Sequence, residues 1–341
     1  METVGIICEY NPFHNGHLRQ FQLIREKYGR DSTIICLMSG NFVQRGAPAI
    51  IDKSIRAQAA VRAGADLVLE LPPTVALSSA EGFAMGGMEI LSLCCDVLCF
   101  GTESMERDDL MQTAQALLSP AFPPLLKQVL SSGCSFPAAR QEALRQMGIA
   151  RTLSDPNDIL GVEYVKAILA SNGSMDILPV HREGAYHAEE LMPDAPSAAA
   201  IRKRLLNGGS WRSAVPSCAA GLLEDAPLHT LGAGERAIVS RLRTMTEDEF
   251  ARLPFGSEGL WRRLLKASRA CSDLSSIIDA TKSKRYTRTR IDRMILCAFL
   301  GLSESDIGSV PDMVRVLAFT DRGRAVLRTH PEFRNAGKDV T

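Results

Sequence analysis

The chain opens with a short apolar run at residues 4–8 (VGIIC). A polar turn breaks the run, and residues 15–27 then place apolar side chains at helical spacing. The alternation continues downstream. Residues 32–38 (STIICLM), 66–71 (DLVLEL) and 96–100 (DVLCF) read as strands, with helices at 52–63 and 79–93 between them. Continuous apolar strands separated by amphipathic helices predict a parallel sheet covered on both faces. Helix-like segments follow at 104–147 and 157–170, then a short strand at 175–179 (MDILP) and a helix at 196–206. The break NGGS at 207–210 marks a boundary. Beyond it the strand signal disappears, and residues 211–341 show helical spacing punctuated by Pro and Gly. The pattern predicts an α/β, Rossmann-like doubly wound parallel sheet over residues 1–207, followed by an all-α domain over 208–341.

Length and composition fit this division. With 341 residues, 45% hydrophobic and 23% charged, the chain is an ordinary globular sequence long enough for two domains. Lys plus Arg and Asp plus Glu are both 39, so net charge excludes nothing, and only a local patch can point to nucleic acid. The nine cysteines contain no C-x-x-C pair, and Cys94, Cys95 and Cys99 lie in an apolar run, as small buried hydrophobes do. No stretch reaches the roughly 18 apolar residues of a membrane span, and the N-terminus lacks the pattern of a secretory leader. A cytoplasmic location without membrane contact is expected.

The first turn concentrates the chemistry. It reads N-P-F-H-N-G-H, Asn11 to His17, between the first strand and the first helix. In doubly wound sheets ligands bind at the carboxyl ends of the strands. A helix starting near Asn15 directs free N–H groups and a positive dipole end there, which favours phosphate. Gly16 removes side-chain bulk at the point of approach. His14 and His17 can face one ligand and hydrogen-bond a triphosphate or departing pyrophosphate. Alternatively, they cap and pack the helix. Histidines three apart can also chelate a metal, but no third ligand is evident and no metal is expected.

Other positions suit the same edge. Gly101 follows a strand, Asn157 opens a helix as a cap or nucleotide contact, and Arg182 follows MDILP. Ser197 and Arg202 open the helix PSAAAIRKRL, where a phosphate could sit. Gln44 and Arg45 lie in a loop that could close over the reacting centre, while Lys53 and Arg56 look like a basic rim. The strongest charge cluster is KSKRYTRTRIDR. Lys282, Lys284, Arg285, Arg288, Arg290 and Arg293 stand there against Asp292 alone, with Tyr286 among them. Such a cluster suits an RNA backbone and a splayed base, or a solvated helix face.

The turn His14-Asn15-Gly16-His17 resembles the signature of the HIGH nucleotidyltransferase superfamily. The longer string GIICEYNPFHNGH is similar to the tRNA(Met) cytidine acetate ligase family. MSGNFVQRGAPAIIDK, GADLVLELP, SSAEGFAMGG, FGTES, PNDILGVEYVKA, HREGAYH, SAAAIRKRL and SKRYTRTRIDRM follow in that family's order. Ala47 and Ala199 depart from it, standing where an acidic residue and a Thr are usual.

The resemblance implies a ligase that condenses acetate with ATP to acetyl-adenylate and pyrophosphate. It then acetylates the exocyclic amine of the wobble cytidine of elongator tRNA(Met). His14 and His17 would be catalytic. The ATP site would comprise Ile7, Cys8, Glu9, Tyr10, Asn11, Pro12, Phe13, His14, Asn15, Gly16, His17, Leu18, Arg19 and Gln20, with Gly101, Asn157, Arg182 and Glu183. Ser197 and Arg202 add to it more weakly. Mg²⁺ would accompany ATP, tRNA and acetate would be the partners, and no obligate protein partner is implied. Two rivals stay open: a small-molecule adenylyltransferase of the same superfamily, and an ATP-sensing RNA-binding module without turnover.

Overall fold

The computed structural model of the chain describes residues 2–171, 173–181, 197–283, 285–331 and 333–335. Nine strands are placed among them: β1 (Thr3–Cys8), β2 (Thr33–Ser39), β3 (Phe42–Val43), β4 (Ala47–Pro48), β5 (Leu67–Leu71), β6 (Val97–Thr102), β7 (Asp176–His181), β8 (Val314–Phe319) and β9 (Phe333–Asn335). Seven form one sheet in the order β7-β6-β1-β2-β5-β8-β9, while β3 and β4 make a small hairpin of their own. From β1 through β2 to β5 the chain moves one way; β6 and β7 then lie on the other side of β1. The direction of winding reverses between β1 and β6, and doubly wound folds open their ligand crevice at such a point.

The helices of the sheet layer are α1 (Asn15–Tyr28), α2 (Lys53–Arg62), α3 (Pro73–Ala76), α4 (Ala80–Leu91), α5 (Arg107–Leu118), α6 (Phe122–Leu130), α7 (Phe136–Gln146), α8 (Pro156–Ala170), α9 (Ala198–Asn207) and α10 (Ser217–Glu224). Every residue of β2 is buried, as a strand covered on both faces requires. One core packs α4, α5 and α8 on one face. The other takes Phe21 and Ile24 of α1, Ala57 and Ala60 of α2, Ile201 of α9 and Ala219 and Leu223 of α10. The chain therefore stays on the sheet through α10.

A separate helical core follows, built from α11 (Glu235–Thr244), α12 (Glu247–Ala251), α13 (Leu260–Ala270), α14 (Leu274–Thr281) and α15 (Arg288–Leu300). Leu242, Phe250, Leu264, Ile277 and Ile291 are its buried centre. The doubly wound α/β sheet and the helical region agree with the sequence reading. The expectation of helix throughout 211–341 needs correction. β8 pairs antiparallel with β5, β9 pairs parallel with β8, and α16 (Asp321–Thr329) packs beside them. The six-residue VRVLAF is too short for periodicity to separate a strand from a helix turn. Its partner, β5, is more than 240 residues earlier in sequence.

β8 should therefore carry stability rather than decorate an edge. Phe319→Ala is expected to cost about 3–4 kcal/mol in urea unfolding, as for other buried aromatic truncations. Phe299→Ala, at an exposed site, should cost well under about 1 kcal/mol.

Candidate active site

The turn after β1 is built by reciprocal capping. His14 is the N-cap of α1, and its Nδ1 accepts from the Gly16 N–H at 3.2 Å. Three residues on, His17 Nδ1 accepts from the His14 backbone N–H at 3.2 Å. The two rings stack with centroids 3.6 Å apart and planes 21° apart. A helix start normally leaves its first N–H groups without intrahelical partners, and here two imidazoles take up two of the local donors. Because Nδ1 is the acceptor in each ring, a neutral imidazole carries its proton on Nε2. Capping thus fixes the tautomer that donates. A Cβ on Gly16 would lie 3.0 Å from His14 Cε1, so glycine leaves the ring its place.

The rest of the turn is held from below. Tyr10 adopts a left-handed backbone with φ 43° and is buried with Phe13 against Phe21. Its hydroxyl lies 3.3 Å from Cys36 Sγ. The Asn11 carboxamide oxygen accepts from the Ile50 N–H at 2.7 Å, and the Asn11 carbonyl accepts from Arg202 Nη1 at 2.7 Å. Asn15 donates to the Ser213 carbonyl at 2.9 Å.

Arg56 joins the ends of two strands. Its Nη1 donates to the carbonyls of Glu9 at 2.6 Å and Ser39 at 3.0 Å, its Nη2 to Gly40, and its Nε to Ile51 at 3.0 Å. Only 1% of Arg56 is exposed, and burial lowers its pKa to about 10. Arg56 is therefore a buried brace and not the basic rim expected from sequence. Lys53 instead pairs with Glu70 at 2.6 Å. Glu9, between the turn and the loop after β2, accepts from the Gln44 N–H at 2.8 Å. Desolvation raises its pKa against the opposing pull of that hydrogen bond and of Arg202, Arg56 and Arg45.

β6 supplies the facing wall. Its register with β1 pairs Val4 with Val97 and Gly5 with Leu98; continued, it sets Cys8 level with Gly101. Gly101 itself lies within β6, opposite Val180 of β7. Asp155 is the N-cap of α8, and Asn157 stands on the first turn with its amide donating to Glu103. Two carboxylates then cross. Glu103 accepts from the N–H groups of Asn157 and Asp158 at 3.0 and 3.1 Å. Asp158 is fully buried and accepts from the N–H groups of Glu103 at 2.8 Å and Ser104 at 3.1 Å. The exchange ties the start of α8 to the end of β6. Ser197 caps α9 by accepting from Ala200 N–H at 3.0 Å, and Arg202, one turn on, reaches the signature turn.

Comparison with known proteins decides the family. The HIGH Nucleotidyl Transferase family model matches residues 1–335. The tRNA(Met) cytidine acetate ligase of Acetivibrio thermocellus is 33% identical over 96% of this chain and 85% of its own length. That of Alkaliphilus metalliredigens is 37% identical with the same coverage. The chain belongs to the tRNA(Met) cytidine acetate ligase family. Among solved structures, apo TmcAL of Thermotoga maritima superposes with a TM-score of 0.88 at 32% identity, covering 96% of this chain and 83% of that one. The same protein bound to alpha-thio ATP gives 0.86 over the same shares.

Within this acetate-ligase fold, His14, His17, Gly101, Asn157 and Arg202 gather around the carboxyl ends of β1 and β6, and Ser197 caps the helix that carries Arg202. Arg182 and Glu183 lie outside the described residues. Several residues of the Ile7–Gln20 segment face elsewhere. Tyr10 and Phe13 belong to the core, Arg19 pairs with Glu26 at 2.9 Å on an exposed surface, and Gln20 reaches Cys99 at 3.3 Å. Burial pushes the Cys8 thiol well above its usual range, and its Sγ sits by the Leu37 carbonyl, a structural role.

The basic cluster lies apart, at the α14–α15 junction. Lys282, Arg285 and Arg288 are exposed there, and Lys284 lies outside the described residues. Arg285 pairs with Glu258 and Arg288 with Asp292, each at 2.8 Å. Tyr286 needs correction as a base-stacking platform. It is 6% exposed, part of the helical core, and its hydroxyl donates to the Glu258 carbonyl at 2.9 Å. Arg290 is held by the Phe255 carbonyl and Ser257. Arg293 packs over the Phe255 ring at 4.7 Å and reaches the Gln44 carbonyl at 3.5 Å. These two arginines brace the helical unit, Arg293 against the loop after β2.

Sequence reading missed Arg56, Glu103 and Asp158. A signal for Arg56 existed: it shares a helix face with Ala59 and Ala60, both buried. Glu103 and Asp158 both lie in quoted blocks, but only the fold brings them together.

Arg56→Met should leave several buried carbonyls without donors and cost about 3–5 kcal/mol in denaturant unfolding, with Arg56→Lys recovering only part. Glu9 gives a pH test. A raised folded-state pKa means the native state binds the proton more tightly, so Glu9 subtracts stability as pH rises through that window. Glu9→Gln should therefore be more stable than wild type at neutral pH, with the gap closing in acid as Glu9 protonates. Melting curves across pH would check this.

Proposed function

We propose that this protein is an ATP-dependent ligase that activates acetate and acetylates the wobble cytidine of elongator tRNA(Met). The observation that carries the reading is the capped histidine pair at the β1–α1 turn, where both rings use Nδ1 for the backbone. In the first step an acetate oxygen attacks the α-phosphorus. The bond to the bridging oxygen of the β-phosphate breaks, and pyrophosphate leaves. The Nε2–H donors of His14 and His17 and the N-terminus of α1 stabilise the charge that builds on the phosphates. Such transfer needs positioning and charge stabilisation more than a protein nucleophile. Mg²⁺ accompanying ATP would neutralise part of the phosphate charge, and among the described residues no group of three or more His, Cys, Asp or Glu stands ready to hold it.

In the second step the cytidine amine attacks the acetyl carbonyl, the bond to AMP breaks, and the amine gives up a proton. The relatives named for this activity, at 33–37% identity across 96% of the chain, support tRNA(Met) as acceptor. The helical unit α11–α15, with Lys282, Arg285 and Arg288 exposed, is the proposed tRNA-binding part of residues 208–341. With tRNA as the acceptor, the cytoplasm is the proposed location. Among the described residues no helix is long and apolar enough to cross a membrane.

Acetate-dependent exchange of labelled pyrophosphate into ATP tests the reading. Wild type should exchange without tRNA, and His14→Ala and His17→Ala should each lose roughly 10²–10³-fold. No exchange with acetate, with or without tRNA, would contradict it and favour a small-molecule adenylyltransferase.

A further inference from the structure

A cavity of about 530 Å³ opens on the same edge of the sheet at the ends of β2 and β5. None of the histidine turn lines it. Its walls are Gly40 and Phe42 after β2, three prolines, Met313 and Arg315, with Lys53 and Glu70. The size suits a small ligand rather than a water cluster. Met313 is an exposed large apolar side chain at 47%. Lys53 and Arg315 both contact the Glu70 carboxylate, at 2.6 and 3.3 Å, so the cluster keeps one net positive charge.

Two connections bind this cavity to the chemistry. Arg56 holds the carbonyls of Glu9 and Gly40 with one guanidinium, so the cavity wall begins beside the histidine turn. Neighbouring strands are about 4.8 Å apart, which puts a ligand at β2–β5 within roughly 5–10 Å of the end of β1. The second connection runs to the basic helix. Phe42 packs against the cluster formed by Leu77 with Leu296 and Cys297 of α15, and Gly46, at φ 80°, is pressed on the Asp292–Arg293 backbone. One loop therefore touches the cavity, the histidine turn through Gln44, and the helix that carries the cationic cluster.

We propose that this cavity seats the nucleoside that receives the acetyl group. The occupant is an unstacked cytidine of a single-stranded RNA loop. Its base lies against Phe42 and Met313, and its flanking phosphates lie near Lys53 and Arg315. Single-stranded RNA is recognised through splayed bases on aromatic and apolar side chains, with cations on the backbone. The inference rests on the acetyl-transfer reading for the identity of the base.

The test uses the full chain and an anticodon stem-loop RNA carrying 5-iodocytidine at the wobble position. After irradiation, mass spectrometry should find the crosslink on the peptide containing Phe42 or Met313. Met313→Ala and Arg315→Glu, both at exposed positions, should each raise KM for the RNA at least tenfold while KM for ATP moves less than twofold. Crosslinks confined to other peptides would overturn the proposal, as would KM values for RNA and ATP that rise together. A crosslink at Phe42 in a protein without acetate-dependent exchange would uphold the nucleoside site and overturn the acetyl-transfer reading instead.

Discussion

Everything at the crevice depends on how α1 begins. A helix start exposes N–H groups that need partners, and most helices meet the need with a serine, threonine or aspartate. This one uses two imidazoles, each accepting a backbone N–H at Nδ1. A hydroxyl or carboxylate cap would satisfy the same donors and stop there. An imidazole has a second nitrogen, and the cap decides that it carries the proton. The capping and chemical readings of the histidine pair are therefore compatible, since one nitrogen of each ring serves the backbone.

The turn stays in place because cations hold its carbonyls. Arg202 takes Asn11, and Arg56 takes Glu9 together with Ser39, Gly40 and Ile51. A guanidinium that spends its donors on carbonyls keeps its charge uncancelled by a bonded carboxylate, and its burial is costly. The same expense contributes a positive field at an edge that must attract a polyphosphate. Desolvated Glu9 is the opposing charge there, restrained by Gln44 from the loop that also meets Arg293. Sheet and helical unit thus meet through a short loop, and a ligand on either side bears on the same backbone.

Most of the sheet was legible because strands covered on both faces leave continuous apolar runs. The parallel, doubly wound sheet and the strand-end place of His14, His17, Gly101 and Asn157 followed from that pattern and from the family blocks, but the order of the strands did not. β8 was hidden because a strand this short has no periodicity of its own, and its pairing is with a strand far back in the chain. Arg56 and Tyr286 were misjudged for one reason. Charge and aromaticity suggested surface binding, but each side chain is buried with its polar atoms satisfied by backbone carbonyls. Sequence shows which groups need partners and not where the fold supplies them.

The claim that capping sets the donor nitrogens can be measured directly. Long-range ¹H–¹⁵N correlation spectra of the imidazoles, assigned with single histidine variants, distinguish the two neutral tautomers. At a pH where the rings are neutral, His14 and His17 should both appear as the Nε2–H form in the ligand-free protein. They should keep that form when ATP is added. An Nδ1–H signal from either ring would contradict the account, because that nitrogen could then not accept the N–H that starts the helix.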